Sequence, residues 1–351
     1  MSLSRPVKFP LLKLPWLCIR CVIRNSDEFI LICFATISNR TRRIVKASKP
    51  LKEIDVHLSW DRSIRMGETM GYSTDCKVWC FKNGNCPYVG KFVLQMNSQP
   101  FHTRQYIDRW GCHFLESYTA GDTSNALRMG IDFMTEVFGC TIRQILVDEN
   151  MLPKLVGLGI SSVEELFISN TMSDPGPVNI TDLKYLLETI KVTDSYVFYA
   201  PIPANFSCDP KIFNCRRINF ACEHSADWVT LEFLCQLDVS YLTVRYVRLS
   251  KEDIVSYITH WFNSENRNLE YVQLELYNPV SLENFNIEHL NPMPYDEKRR
   301  NRCPLDEGWI EDMSSGMDIL RQDGLLATFY VDFTSVIFYV WHKRFPDAVQ
   351  Q

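Results

Sequence analysis

The sequence is short of the features that mark most chemistry-bearing chains. It has no concentrated basic stripe. Its 37 Lys and Arg stand against 42 Asp and Glu, a formal charge of −5, whereas a nucleic-acid surface needs cations gathered on one face. It has no apolar run long enough to cross a bilayer. The stretch 9–23 comes nearest, but Lys13 and Arg20 interrupt it, and Pro10 and Pro15 lie inside it. No small-residue cleavage site follows, so it does not read as a secretory leader. The phosphate-cradling patterns G-x-x-x-x-G-K-[ST] and G-x-G-x-x-G are absent, as are H-E-x-x-H and G-x-S-x-G. The seven histidines fall in no spacing that proposes a triad or a ligand set. These absences exclude the common nucleotide-binding, hydrolase and metalloprotease readings. No catalytic residue, cofactor, nucleic acid or membrane is expected.

Cysteine is plentiful, but the 13 thiols make an odd count and a poor disulfide framework. Cys18, Cys21, Cys33, Cys140, Cys222 and Cys235 sit in apolar runs, where free cysteine behaves as a small hydrophobe. The expectation is a reduced intracellular protein, cytoplasmic, nuclear or both. Cys76, Cys80, Cys86, His102, Cys112 and His113 invite a zinc reading. There is no C-x-x-C pair among them, and structural zinc sites present ligands in close pairs, so no metal is expected. The sequons at Asn39, Asn179 and Asn205 carry meaning only with a secretory route.

What is present is an ordinary apolar fraction and 13% aromatic residues, a composition that folds. Residues 1–50 read as three short helices. Pro15 suits a first helical position, Ile19, Val22 and Ile23 follow at helical spacing, and Asp27 and Ser38 offer caps. So small a module buries little surface alone, and its surplus of large hydrophobes points to a partner. Leu14-Pro15, Leu17, Val22-Ile23, Asp27 and the closing Ser38-Asn39-Arg40-Thr41-Arg42-Arg43-Ile44 resemble an F-box, in particular that of the large nematode family. Ser26 departs from that pattern, which places a large hydrophobe before the Asp. The resemblance implies docking to a Skp-type adaptor and a cullin complex, through Leu14, Pro15, Leu17, Val22 and Ile23.

Residues 51–120 change to alternating patterns, as in Ile54-Asp-Val-His-Leu, Lys77-Val-Trp-Cys-Phe and His113-Phe-Leu-Glu-Ser-Tyr. They are expected to form a small antiparallel β segment connecting the helices to the rest. Residues 121–290 carry a recurring apolar-x-x-apolar-x-apolar unit: Ile142/Ile145/Val147, Val163/Leu166/Ile168, Cys215/Ile218/Phe220, Val239/Leu242/Val244 and Leu269/Val272/Leu274. Asn150, Asn170 and Asn278 stand where a leucine-rich repeat places its asparagine. One-sided helical patterns intervene, such as Leu183/Leu186/Leu187 and Ile254/Ile258/Trp261. A parallel sheet with helices on one side follows; an α/β sandwich with both faces covered is the alternative. Residues 291–351 read as a loop, bearing Lys298-Arg-Arg-Asn-Arg, and a C-terminal hairpin or cap.

Within the repeats, Trp228, Leu231, Tyr241-Leu-Thr-Val-Arg, Ser250-Lys-Glu-Asp-Ile and Trp261-Phe-Asn-Ser-Glu resemble the type-2 F-box-associated domain, over about 192–276. Asp318-Ile-Leu-Arg-Gln-Asp-Gly and Ile337-Phe-Tyr-Val-Trp resemble the tail of the same proteins. The expected fold class is α+β multidomain: an N-terminal three-helix F-box, a small antiparallel β segment, and a C-terminal leucine-rich-repeat-like curved sheet. The expected function is substrate recognition in an SCF-type cullin–RING ubiquitin ligase, with a repeat-based protein-interaction scaffold without ligase role as the alternative. Strand positions between the apolar ones face away from the helices. Arg217, Asn219, Thr243, Arg245, Tyr271 and Gln273 are therefore the candidate contacts to a target protein.

Overall fold

The computed structural model describes residues 11–48, 51–59, 62–66, 76–86, 92–97, 99–170, 176–222, 226–296, 299 and 313–342. Residues 9 and 10 of the N-terminal apolar stretch, and Lys298, Arg300, Asn301 and Arg302 of the basic run, lie outside them. The chain divides into two compact units. The first holds residues 1–146 with 157–159, and the second holds 147–156 and 160–351.

In the first unit, α1 (Trp16–Arg24), α2 (Glu28–Ile37) and α3 (Asn39–Ser48) stand where the periodicity puts them. Pro15 is the N-cap of α1 rather than its first helical residue. The Asp27 carboxylate caps α2 by accepting from the Phe29 and Ile30 N–H groups, a contact worth about 1 kcal/mol. Ile19, Ile23, Phe29, Leu31, Ile32 and Val45 are buried. Lys77 pairs with Asp27 and Glu28, and the Arg42 guanidinium lies over the Phe133 ring. These contacts build the helices into a unit shared with β1 (Glu53–Leu58), β2 (Ser63–Met66), β3 (Lys77–Asn83), β4 (Phe92–Met96), β5 (Gln99–Ile107), β6 (His113–Thr119), α4 (Thr123–Phe138) and the start of β7 (Thr141–Asp148).

The order β1-β2-β3-β6-β5-β4 mixes antiparallel pairs with a parallel β3–β6 pair. The excursion through β4 and β5 supplies the crossover that parallel pairing requires. Trp79 and Phe81 fill the core beneath α4, and at Gly130 that helix comes so close that a Cβ would collide with the Phe81 ring. On β6 the buried Glu116 accepts hydrogen bonds from Arg104, Tyr106 and Tyr118. Burial pushes its carboxyl up, but these partners outweigh burial and hold it below the usual glutamate range. The cluster therefore stabilises the fold above the ordinary glutamate pKa and fades as pH falls through the depressed one.

The second unit alternates strand and helix: α5 (Leu152–Gly157), β8 (Ser162–Ser169), α6 (Ile180–Thr189), β9 (Lys191–Phe198), β10 (Arg217–Phe220), α7 (Leu231–Gln236), β11 (Tyr241–Val247), α8 (Lys251–Asn263) and β12 (Tyr271–Leu276). Strands β8 to β12 pair in parallel. The chain then adds β13 (Met293–Pro294), β14 (Met317–Leu320), β15 (Leu326–Asp332) and β16 (Ser335–Trp341). β16 runs antiparallel beside β12, and β15, β14 and β13 follow it outward. Phe333 makes the β15–β16 turn at a positive φ of 49°.

This architecture corrects the expected fold class. Among the described residues, the strands of the first unit are ordered β7-β1-β2-β3-β6-β5-β4 and those of the second β13-β14-β15-β16-β12-β11-β10-β9-β8, both with parallel and antiparallel pairs, rather than a small antiparallel segment followed by a leucine-rich-repeat-like sheet. Asn150 and Asn278 are exposed, so the asparagine ladder of a true leucine-rich repeat does not form. The three N-terminal helices are part of a larger unit, and their fold does not by itself identify an F-box. The physical reason is shared by all these differences. Alternation marks a strand and its buried face, but backbone hydrogen bonds to a neighbour leave no trace in side-chain pattern.

Candidate recognition surface

On β10, β11 and β12 every second residue is buried: Ile218, Phe220, Leu242, Val244, Val272 and Leu274. The helices cover this side. Trp261 of α8 meets Phe338 at 4.8 Å and Phe233 of α7 meets Phe213 at 6.0 Å, both edge to face. The intervening residues therefore point away from the helices, and the strand register lines them up. One row runs Ser195, Arg217, Tyr241, Tyr271, Tyr339. The next runs Val197, Asn219, Thr243, Gln273, Ile337. Five of the six residues singled out in sequence thus share one patch. Arg245 comes two positions after Thr243, just before the register shift at Tyr246, whose φ is +53°.

The patch is polar and internally paired. Arg217 meets Asp194 at 3.1 Å, Arg245 meets Glu275 at 3.7 Å, and Tyr241 donates to Glu270 at 2.6 Å. Tyr271 donates to the Gln273 side-chain oxygen, and the Gln273 amide donates to Ser335. Exposed ion pairs of this kind add little stability, so the two arginines can exchange their carboxylates for those of a ligand at small cost. The Asn219 amide oxygen is buried and has no hydrogen-bond partner among the described residues. Tyr241, Tyr271, Tyr339 and Trp341 form an aromatic ladder with centroid spacings of 6.4, 6.2 and 4.3 Å. Met313, Leu326, Ile337, Tyr339 and Trp341 pack as a small core, and Ser195 and Val197 on β9 are buried, so the accessible part of the face lies on β10, β11 and β12.

Sequence reasoning missed Tyr241, which alternation from Thr243 could have found. It also missed Ser335 and Ile337, which reach the patch only because β16 docks beside β12. A cavity of about 660 Å³ opens where β11 and β12 end, lined in part by Arg248, Lys251 and Tyr277.

The N-terminal candidates lie elsewhere on the chain. Leu17 is 74% exposed and Val22 is 40% exposed, as is Trp16 at 43%. Pro15 is exposed and Leu14 half-buried. Ile23 is buried in the module. On α2, Ile30 and Ile37 are also exposed, so α1 and α2 display five large hydrophobes to solvent.

Residues 210–274, which carry β10, α7, β11, α8 and most of β12, match the F-box associated family. Two uncharacterized proteins of Caenorhabditis elegans are each 28% identical to the chain, over 131 and 132 residues. Each match covers 35% of this chain and 30% of the relative, so the chain spans under a third of the length of the curated relatives it matches. No helix among the described residues is long and apolar enough to cross a membrane.

Proposed function

We propose that the chain is a substrate-recognition adaptor of an SCF-type cullin–RING ubiquitin ligase, without catalytic activity of its own. The match of residues 210–274 to the F-box associated family carries this reading. The apolar surface of α1 and α2 supports it. Leu17 and Val22 with Pro15 and Leu14 would contact a Skp-type adaptor, while buried Ile23 would hold the helix in place. The strand face bearing Arg217, Asn219, Thr243, Arg245, Tyr271 and Gln273 would take the target protein. Its mixture of tyrosine, arginine and polar groups suits a recognition surface. Ubiquitin transfer would occur on a separate partner, and this chain would act by raising the target's local concentration there.

The test uses the full chain with two sets of substitutions. Replacing Pro15 and Leu17 together by alanine is expected to weaken pull-down of the Skp-type adaptor about 30-fold or more, since interface anchors cost about 2 kcal/mol or more. Undiminished binding by the folded double variant would sink the adaptor reading and leave a repeat-based scaffold without ligase role. Changing Arg217 and Arg245 to glutamate is expected to lose cross-linked targets while the adaptor is retained. If targets persist and are lost instead on changing the 52–118 strands, the target site is on the other unit.

A further inference from the structure

Of the cysteine and histidine group at 76–113, the fold brings two cysteines together. No cluster of three or more His, Cys, Asp or Glu able to hold a metal occurs among the described residues. β3 and β6, however, run parallel and in register from the Lys77–His113 pair to the Asn83–Thr119 pair. Cys76 and Cys112 are the residues immediately before that ladder. The His113 N–H donates to the Cys76 carbonyl at 3.0 Å, which extends the strand geometry to the two cysteines. Neighbouring strands lie about 4.8 Å apart, inside the Cα separation of about 4.4–6.8 Å that a disulfide spans. Side chains at matching positions of paired strands point to the same face. Burial above all, with a smaller push from the neighbouring Cys112, raises the Cys76 thiol above the ordinary cysteine range, and both thiols are free and half-buried.

The surroundings hold them ready. The Asp108 carboxylate accepts from the Trp110 and Cys112 N–H groups, each at 2.9 Å. Asp108 N–H donates to the Cys112 carbonyl at 3.0 Å. The turn that delivers Cys112 is thus fixed at both ends. Cys80 and Cys86 are buried, while Cys18 and Cys21 are exposed on α1.

We propose that Cys76 and Cys112 are a thiol-oxidation site that closes to a reversible disulfide under a peroxide oxidant. One thiolate attacks a peroxide oxygen, breaking the O–O bond and giving a sulfenic acid and water. The second sulfur then attacks the sulfenic sulfur, the S–S bond forms, and a second water leaves. Two thiols and one hydrogen peroxide give one disulfide and two waters; sulfur is oxidised and peroxide oxygen reduced. The bond ties the entry of β3 to the entry of β6, across the only parallel pair among the described strands wholly within the first unit. A dithiol reductant reopens it by exchange.

The experiment treats the full chain with hydrogen peroxide, alkylates remaining thiols, and maps peptides without reduction. The expected result is joint loss of alkylation at Cys76 and Cys112, with a linked peptide about 2 Da lighter than the sum of the two thiol peptides. Dithiothreitol restores both thiols. The oxidised chain should unfold about 5 °C higher or more, and Cys112→Ser should abolish both the link and the rise. Cys76→Ser serves as the second control, so that a folding defect in one variant does not decide the matter. Retained alkylation of both thiols overturns the proposal. So does separate oxidation of each without a link, or an equal yield of links to Cys18, Cys21 or another cysteine.

Discussion

Replacing Arg321 by alanine is expected to destabilise the second unit by about 3 kcal/mol. Its side chain is 4% exposed although fully ionic. The guanidinium donates from Nε and one terminal nitrogen to both oxygens of Asp323, at 3.0 and 2.9 Å. The other terminal nitrogen donates to the Trp261 and Asn266 carbonyls, at 3.2 and 2.8 Å. It also lies 4.8 Å from the centre of the Trp261 ring. One side chain thus satisfies carbonyls at the end of α8 and anchors the turn between β14 and β15. Alanine strands those acceptors and opens a void, and buried unpaired groups carry their full desolvation cost. Arg321→Lys should recover little, because an ammonium cannot make the planar two-pronged contact with Asp323 and still reach both carbonyls.

The same contact predicts a pH signature. Arg321 above all, against a smaller push from burial, holds the Asp323 carboxyl well below the usual aspartate range. A depressed folded pKa contributes stability that is present above the unfolded value and is lost as pH falls through the folded one. The gap between wild type and Arg321→Ala should therefore narrow as pH is lowered from about 5 toward 2. Urea unfolding followed by circular dichroism at several pH values checks both statements. A variant within about 0.5 kcal/mol of wild type at neutral pH, the scatter of an ordinary surface change, contradicts them.

Trp79→Ala is expected to cost the first unit about 3–5 kcal/mol, the range for a large aromatic deleted from a packed core. The Trp79 side chain is fully buried. Its ring meets Phe81 at 5.1 Å and Phe133 of α4 at 6.2 Å. The indole N–H donates to Ser117 Oγ at 2.9 Å, that hydroxyl pairs with Thr103 Oγ1 at 2.9 Å, and the threonine hydroxyl donates to the Phe101 carbonyl. This one side chain therefore joins α4 to a hydroxyl chain across β3, β6 and β5. Trp79→Phe separates the two contributions. It keeps most of the apolar contact but leaves the serine hydroxyl short of a donor, so a loss of about 1–2 kcal/mol is expected. Denaturant midpoints of the two variants provide the measurement. Equal losses would mean that the hydroxyl chain, rather than the packing, dominates.

The candidate recognition surface and the buried supports differ in what they ask of the residues. Arg217 and Arg245 sit in exposed pairs that water already screens, and their value lies in contacts they can trade. Arg321 and Trp79 are buried, fully engaged, and have no surface to offer. Charge reversal on the strand face should therefore leave stability almost unchanged, whereas truncation at either buried site should lower it by several kcal/mol.

Much was legible in the sequence because it is written in local periodicity. The helices α1 to α3, α6 and α8, the strand positions β7, β8 and β10 to β12, and the buried set Ile218, Leu242, Val244, Val272 and Leu274 all follow from spacing. So does the cap at Asp27, since its side chain reaches only two or three residues along the chain. The outward placement of Arg217, Asn219, Thr243, Tyr271 and Gln273 followed from the same alternation. The meeting of Cys76 with Cys112, of Gln273 with Ser335, and of Arg321 with the Trp261 carbonyl did not. Each joins residues far apart in sequence through a strand pairing or a turn, and pairing is chosen by backbone hydrogen bonds that any residue except proline can make. Side-chain periodicity by itself determined which face of each element is buried. Which strand lies beside which, and therefore what each exposed face assembles, was decided only when the whole chain competed for the same hydrogen bonds and the same core.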